Sequence, residues 1–337
     1  MGAAFRPRAN GLSKKRRVSL RGVRGKMTAL ICGSAAYDNI MVFEDSFKNH
    51  ILPDKIHMLN VAFLVPKLRR EFGGCATNIA YNLKLLGETP LPMATVGSDF
   101  EPYRKRLKKL GIKQDYIRTL DDCYTAQAFI TTDLASNQII AFHPGAMNFS
   151  EKNKVTDAKN VTIGMVSPDG RAGMIKHAEQ FAKKKIPFIF DPGQGMPMFN
   201  GDDLRKFIDQ ATWVTVNDYE WELLKDRTGW TEKDIVSRVD ALIVTLGAKG
   251  SVIHTKQKAH EIPAVKPKSV QDPTGCGDAY RAGLLYGLLN DLDWETTGRI
   301  ASLMGAIKIE HQGPQNHTFT LEQFKKRYKA AFGQKLK

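Results

Sequence analysis

Val161-Thr-Ile-Gly-Met-Val166, Phe188-Ile-Phe190, Trp213-Val-Thr-Val216 and Leu242-Ile-Val-Thr-Leu246 are short apolar runs separated by amphipathic stretches at 171–184, 201–209 and 217–226. Runs of this kind, alternating with segments of helical period, read as repeated βαβ units. The runs do not alternate apolar with polar, so their strands are expected to be covered on both faces. That predicts a mainly parallel central sheet with helices on either side, a three-layer α/β/α architecture. Each run ends in residues suited to chemistry or tight turning: Ser167-Pro-Asp169-Gly170, Asp191-Pro-Gly193, Asn217-Asp-Tyr-Glu220 and Thr245-Leu-Gly247. Ligands of open α/β sheets bind beyond the carboxyl ends of the strands, so the site is expected at that edge.

The N-terminal half has similar units: a strand at Leu30–Gly33, a helix from Ala76 to Leu86, a strand at Leu91–Val96 and a helix from Asp99 to Leu110. Two stretches, 38–65 and 123–142, break the rhythm. They contain Thr125-Ala-Gln-Ala-Phe-Ile-Thr131 and Gln138-Ile-Ile-Ala-Phe142 without crossover helices between them. They predict a small antiparallel β-rich lid or, alternatively, an extension of the main sheet's edge. Three helices, 276–290, 294–308 and 320–331, close the chain.

Length fits one large domain over 27–337. No apolar run is long enough to span a membrane. Cys32, Cys75, Cys123 and Cys276 are scattered without metal-ligand or disulfide spacing, which points to a reducing cytoplasm. The net charge is +15, but residues 1–26 contribute nine basic side chains and no acid, leaving a mildly basic body. The tail reads as a disordered basic arm, an upstream over-extension of the reading frame, or a transit peptide lacking an apolar face; it has no secretory core. Nucleic-acid binding would rest on that tail alone.

The chemistry is concentrated in Asp272-Pro-Thr-Gly-Cys-Gly-Asp278-Ala-Tyr-Arg-Ala-Gly283, followed by Leu284-Leu-Tyr-Gly-Leu-Leu289. Gly275 and Gly277 permit a sharp turn, and the apolar periodicity after them starts a helix. Unpaired amides at such a start attract a phosphate, or charge developing on one. Asp278 beside an anion site is suited to accept a proton from a hydroxyl while the amides hold a transferring phosphoryl group. Its structural alternative is a helix cap. Gly193-Gln-Gly195 lacks the third glycine of a dinucleotide turn and reads as a loop, and no P-loop motif is present.

Asp272–Asp278 resembles the second signature of the ribokinase-like (PfkB) family of carbohydrate and nucleoside kinases. The resemblance runs from about 29 to 331. Gly33-Ser-Ala-Ala-Tyr-Asp38 is similar to the family's first strand and substrate-binding Asp, and Gly73-Gly-Cys-Ala-Thr-Asn78 to its Gly-Gly-x-x-x-Asn signature. Asn217-Asp-Tyr-Glu220 matches N-x-x-E, and Thr245-Leu-Gly-Ala-Lys-Gly-Ser251 resembles the nucleotide-binding strand and turn. The resemblance implies Asp278 as general base, with an anion hole from the amides of Gly275, Cys276 and Gly277. It implies Asp38 and Asn78 on sugar hydroxyls, with Gly73 and Gly74 giving access. Glu220 would position Mg²⁺ through water, and Asn217, Thr245 and Gly247 would line the ATP site. Asp272 and Gly313 resemble a monovalent-cation site of part of the family, which makes K⁺ a further candidate. Pro273, Cys276 and Tyr280-Arg281 depart from the usual signature. Apart from the resemblance, Asn78 and Asp38 also read as a helix residue and a turn residue, Asn217 as a helix cap, and Glu220 as the partner of a surface lysine.

The segments 277–283 and Glu310-His-Gln-Gly-Pro-Gln-Asn-His317 resemble bacterial adenosine kinases and related nucleoside kinases more than ribokinase or fructokinase. They imply ATP-dependent 5′-phosphorylation of adenosine to AMP. A sugar kinase like ribokinase or fructokinase, and a non-catalytic nucleoside-binding regulator, are the rival readings. Met165, Val166 and Phe129 are candidate purine contacts with core packing as their alternative. Trp213, Trp221, Trp230 and Trp294 read as core or edge packing. A monomer and a homodimer paired through lid edges fit equally.

Overall fold

The computed structural model describes residues 27–51, 60–135 and 137–336; the basic segment 1–26 and positions 52–59 of the expected lid lie outside these. In chain order the strands are β1 (Thr28–Cys32), β2 (Ala36–Val42), β3 (Lys67–Gly73), β4 (Thr89–Gly97), β5 (Tyr116–Leu120), β6 (Ala126–Thr132), β7 (Gln138–His143), β8 (Ile163–Val166), β9 (Phe188–Phe190), β10 (Trp213–Asn217), β11 (Ala241–Thr245), β12 (Ser251–Thr255) and β13 (Ala259–Ile262). The α-helices are α1 (Cys75–Leu85), α2 (Glu101–Lys109), α3 (Arg171–Lys184), α4 (Gly201–Gln210), α5 (Asp218–Thr228), α6 (Glu232–Arg238), α7 (Cys276–Leu289), α8 (Trp294–Ile309) and α9 (Leu321–Phe332).

Among the described residues the main sheet has the order β13-β12-β11-β10-β9-β8-β1-β4-β5. Its strands are parallel from β11 through β5, and β12 and β13 add an antiparallel hairpin at one edge. Neighbouring residues of one strand enter different cores. Ala29 and Ile31 pack with Ile79 of α1, Leu107 of α2 and Leu284 of α7, whereas Leu30 and Cys32 pack with Met174 of α3, Leu204 of α4 and Ile235 of α6. This two-sided burial is why the strands read as unbroken apolar runs. Trp213 lies in the first core, and Trp221, Trp230 and Trp294 pack at the margins. Gly193-Gln-Gly195 opens a short 3₁₀ stretch.

A second sheet, β3-β2-β6-β7, stands apart from the main one as the lid and does not extend its edge. It is mixed, not wholly antiparallel: β2 and β6 run parallel. The reason is topological, since β2 continues from β1 and β6 follows β5, two strands that leave the main sheet in the same direction. Strand β3, Lys-Leu-Arg-Arg-Glu-Phe-Gly, lies beyond the expected lid segments. Its charges hide it from a reading by hydrophobic pattern, and its place at the sheet edge explains them. Among the described residues no helix is long and apolar enough to cross a membrane.

Helices α7 and α8 approach closely where Gly283 faces Ala301: a Cβ at 283 would lie 2.4 Å from the Ala301 Cα. Helix propensity alone favours alanine over glycine by about 1 kcal/mol. Overpacking outweighs it here, so Gly283→Ala is expected to destabilise the fold by about 1–3 kcal/mol in urea denaturation; a stabilised variant would contradict this packing.

Candidate active site

Helix α7 begins on a turn that only glycine enters easily. Gly275, its N-cap, has φ +79°, and a Cβ there would lie 2.7 Å from Pro314 Cβ. The Thr274 N–H donates to Asp272 Oδ1 at 2.8 Å, and the Ala279 N–H donates to the Gly275 carbonyl at 2.9 Å. Of the three expected anion-hole amides, that of Cys276 donates inward to the Pro273 carbonyl at 3.1 Å. The amides of Gly275 and Gly277 have no partner among the described residues. First-turn donors of a helix are left over by its geometry, and here they carry the dipole's positive end.

Asp278 sits in this first turn, its side chain partly buried. Its Oδ2 accepts a 2.9 Å hydrogen bond from Asn78 Nδ2, on a helix 200 residues earlier. Asn78 Oδ1 accepts from Gln315 Nε2 at 2.9 Å, and that nitrogen also donates to the Tyr103 hydroxyl at 2.5 Å. Tyr103 in turn donates to the Gly73 carbonyl at 2.9 Å. The chain of donors fixes the Asn78 amide so that its NH₂ faces the carboxylate. Desolvation pushes the Asp278 carboxyl up to about 7; the Asn78 hydrogen bond and the Arg281 charge pull it down, while Asp191 and Asp38 push it up. A carboxylate with a pKa near neutrality is suited to general-base work.

Arg281, one turn along α7, is buried and reaches Asp191 at the end of β9 through Nε at 2.5 Å and Nη2 at 2.6 Å. Its Nη2 is 3.9 Å from Glu220 Oε2. Glu220 and Asn217 form a capping box at the start of α5. The Glu220 N–H donates to Asn217 Oδ1 at 2.7 Å, and the Asn217 N–H donates to Glu220 Oε2 at 2.8 Å. Burial, then the Asp191 charge, raises the Glu220 pKa, with Arg281 opposing. Glu220 therefore pairs with a buried arginine of the cleft, not with a surface lysine. Asn217 is a register partner of Thr245 on β11. Gly247 follows at φ +56°, with open space where a Cβ would stand.

Asp38, on β2, closes over the Gly-Gly pair. A Cβ on Gly73 would meet Asp38 Oδ2 at 2.5 Å, and Gly74, at φ +91°, presses on the backbone of Ala35. Burial, then the charges of Glu71 and Asp272, raises the Asp38 carboxyl to about 6. Gly313 donates its N–H to Asp272 Oδ2 at 2.8 Å, joining those two positions. Asp38, Asn78, Asp278, the glycines, Asn217, Glu220 and Thr245 thus gather at the carboxyl edge of the main sheet and under the lid. Met165 and Val166 do not join them: both are fully buried in the cores. Phe129 is on the lid, exposed.

Arg281, Asp191, Gln315 and Tyr103 belong to the site without having been assigned to it. Arg281 stood out as a departure from the signature and Asp191 as a strand-end acid. Gln315 lies in the 310–317 segment without a role of its own there, and Tyr103 carries no local signal; only folding makes the two neighbours.

The pfkB family carbohydrate kinase model matches residues 38–320. The chain is similar to a nucleoside kinase of Methanocaldococcus jannaschii, 32% identical over 296 residues that cover 87% of this chain and 94% of the relative. Its fold is similar to the structure of Burkholderia thailandensis nucleoside kinase in complex with inosine, at 52% identity and a TM-score of 0.84, covering 91% of this chain and 99% of that one. The same enzyme in complex with ADP-inosine aligns at 54% identity with a TM-score of 0.82, covering 92% and 97%. Similarity of this extent makes the chain a member of the pfkB carbohydrate kinase family, in the ribokinase-like group that includes the nucleoside kinases, and a phosphotransferase with an alcohol group as acceptor.

Proposed function

We propose that the acceptor is the 5′-hydroxyl of adenosine, or of a purine nucleoside like it, and that ATP is the donor. The observation that carries this reading is the meeting of Asp278 with the unpartnered amides of Gly275 and Gly277 at one helix start. The B. thailandensis relative's complexes with inosine and with ADP-inosine support a nucleoside acceptor beside an adenine nucleotide.

In this reading Asp38 accepts hydrogen bonds from the ribose 2′- and 3′-hydroxyls, and Gly73 and Gly74 leave room for the sugar. Asn78 spends one N–H on Asp278, which leaves its second for a ribose hydroxyl. The Asp278 carboxylate takes the 5′-hydroxyl proton as that oxygen attacks the γ-phosphorus; the bond to the β-phosphate oxygen breaks, and AMP and ADP form. The amides at 275 and 277 stabilise charge on the moving phosphoryl group. Asn217, Thr245 and Gly247 line the nucleotide side.

Glu220, Asp191 and Asp278 place three carboxylates around the single guanidinium of Arg281, so the cleft has negative charge to spare. No group of three metal-ligating side chains exists among the described residues. The set therefore suits Mg²⁺ held largely by water and phosphates, with Glu220 positioning it through water. When bound, Mg²⁺ neutralises phosphate charge.

ATP consumption across adenosine, inosine, guanosine, ribose and fructose tests the acceptor: at least one purine nucleoside is expected to exceed both sugars by about tenfold or more in kcat/KM, because unpaired site groups penalise a missing base. A faster free sugar would move the chain to the sugar kinases, and no turnover at all to a nucleoside-binding regulator.

For Asp278→Asn, kcat is expected to fall by about 10²–10⁴, with adenosine binding retained in calorimetry; unchanged turnover removes Asp278 from the mechanism. The wild-type kcat/KM should rise with pH and level off above about 7, where the carboxylate is ionised. Stability runs the other way. The folded pKa lies above the ordinary value of 3.8, so the protonated form favours folding and that contribution is lost as pH rises through about 7. The Asn variant should therefore gain most in Tm over wild type above pH 7; a gain confined to acid pH would contradict the burial.

A further inference from the structure

Lys308, near the C-terminal end of α8, has no exposed surface, a rare state for lysine unless its charge is met. Its Nζ donates to the backbone carbonyl of Asp272 at 2.7 Å and to that of His311 at 3.0 Å. No carboxylate lies within ion-pair distance of it among the described residues, although Asp272, Glu71 and Cys276 act on it through space. Burial lowers its pKa and those three groups oppose the fall. The ammonium is thus solvated by main-chain carbonyl oxygens, the way proteins hold a desolvated monovalent cation. The end of α8 adds the negative pole of its dipole.

The Asp272 carboxylate is already committed. Oδ1 accepts from the Thr274 N–H and Oδ2 from the Gly313 N–H, each at 2.8 Å, with Arg69 Nη2 3.9 Å from Oδ2. Gly313 contributes a donor to this arrangement. Asp272 and Gly313 are therefore a poor fit to K⁺: the Asp272 carbonyl faces the Lys308 ammonium, its carboxylate faces amides, and Gly313 presents an N–H to that carboxylate. The lysine stem also runs beneath the anion hole, its Cε 3.8 Å from where a Gly275 Cβ would stand.

We infer that the Lys308 ammonium is a built-in replacement for the monovalent cation, holding the 272–275 turn and the 311–313 loop together, and that this kinase needs no K⁺. Lys308 acts as a positioning residue: it fixes the Asp272 carbonyl, hence the turn that presents the amides of Gly275 and Gly277. The inference rests on the proposed reading of those amides, but its stability arm does not depend on any acceptor.

The test compares KCl with tetramethylammonium chloride, whose cation is too large for the loop, at equal ionic strength. Wild-type nucleoside phosphorylation and the Tm of the nucleotide-free protein are both expected to be the same in the two salts. Lys308→Ala is expected to lose about tenfold or more in kcat without K⁺, as misplaced anion-hole donors do. It should recover activity and gain Tm with KCl, NH₄Cl or methylammonium chloride, and with none of these effects from tetramethylammonium. A wild-type Tm or kcat that rises with K⁺ overturns the inference, whether or not the variant folds. So does a folded Lys308→Ala or Lys308→Met that keeps full activity without K⁺, or whose loss no small monovalent cation restores in either readout. If no nucleoside is phosphorylated, the acceptor reading fails while the wild-type and Lys308→Ala Tm comparisons still decide the role of Lys308.

Discussion

Asp278 places a carboxyl group where burial resists negative charge, and the groups around it bear on that conflict. Its ring of partners is small: one Asn78 N–H accepted directly, the Arg281 charge nearby, and the dipole of α7 beneath it. A more generous set of donors would make the carboxylate stable and a weak base. A more apolar set would keep it protonated at neutral pH. The balance leaves it poised near 7, at the cost of stability above that pH.

The same economy governs the neighbouring charges. Arg281 is buried, so its charge has to be met, and Asp191 meets it bidentately while Glu220 stands farther off. Glu220 also completes the α5 capping box with Asn217. One side chain thus ends a helix and lends charge to a cleft, so the structural and functional readings of Asn217 and Glu220 are compatible. Lys308 follows a related rule on the other side of the α7 turn. Carbonyls there, with no carboxylate in contact among the described residues, receive its ammonium, which places a cation behind the amides of the Gly275 turn.

Parts of the fold were legible because their causes are local. Leu30 and Ile31 are both apolar because each face of β1 meets helices, and the same holds for β8 to β11. The glycine turn before α7 is written in Gly275 and Gly277. Other parts left weak traces. Strand β3 carries Lys67, Arg69, Arg70 and Glu71 because it borders the lid, so its pattern does not announce a strand. The β12–β13 hairpin and the short α6 have too few residues to show a period. The parallel pairing of β2 with β6 depends on where β1 and β5 lie in the main sheet.

By itself, the sequence determined the layered α/β architecture, the edge at which the chemistry would gather, and the residue types that gather there. Periodicity and turn propensity act over a few neighbouring residues, so they can be read along the chain. Only the tertiary structure decided that Asn78 and Gln315 orient Asp278, that Arg281 answers Asp191, and that Lys308 settles on the carbonyl of Asp272. Those partners are brought together by packing across distant segments, and the pKa of Asp278 comes from its desolvation in the folded cleft, a quantity with no counterpart in the unfolded chain.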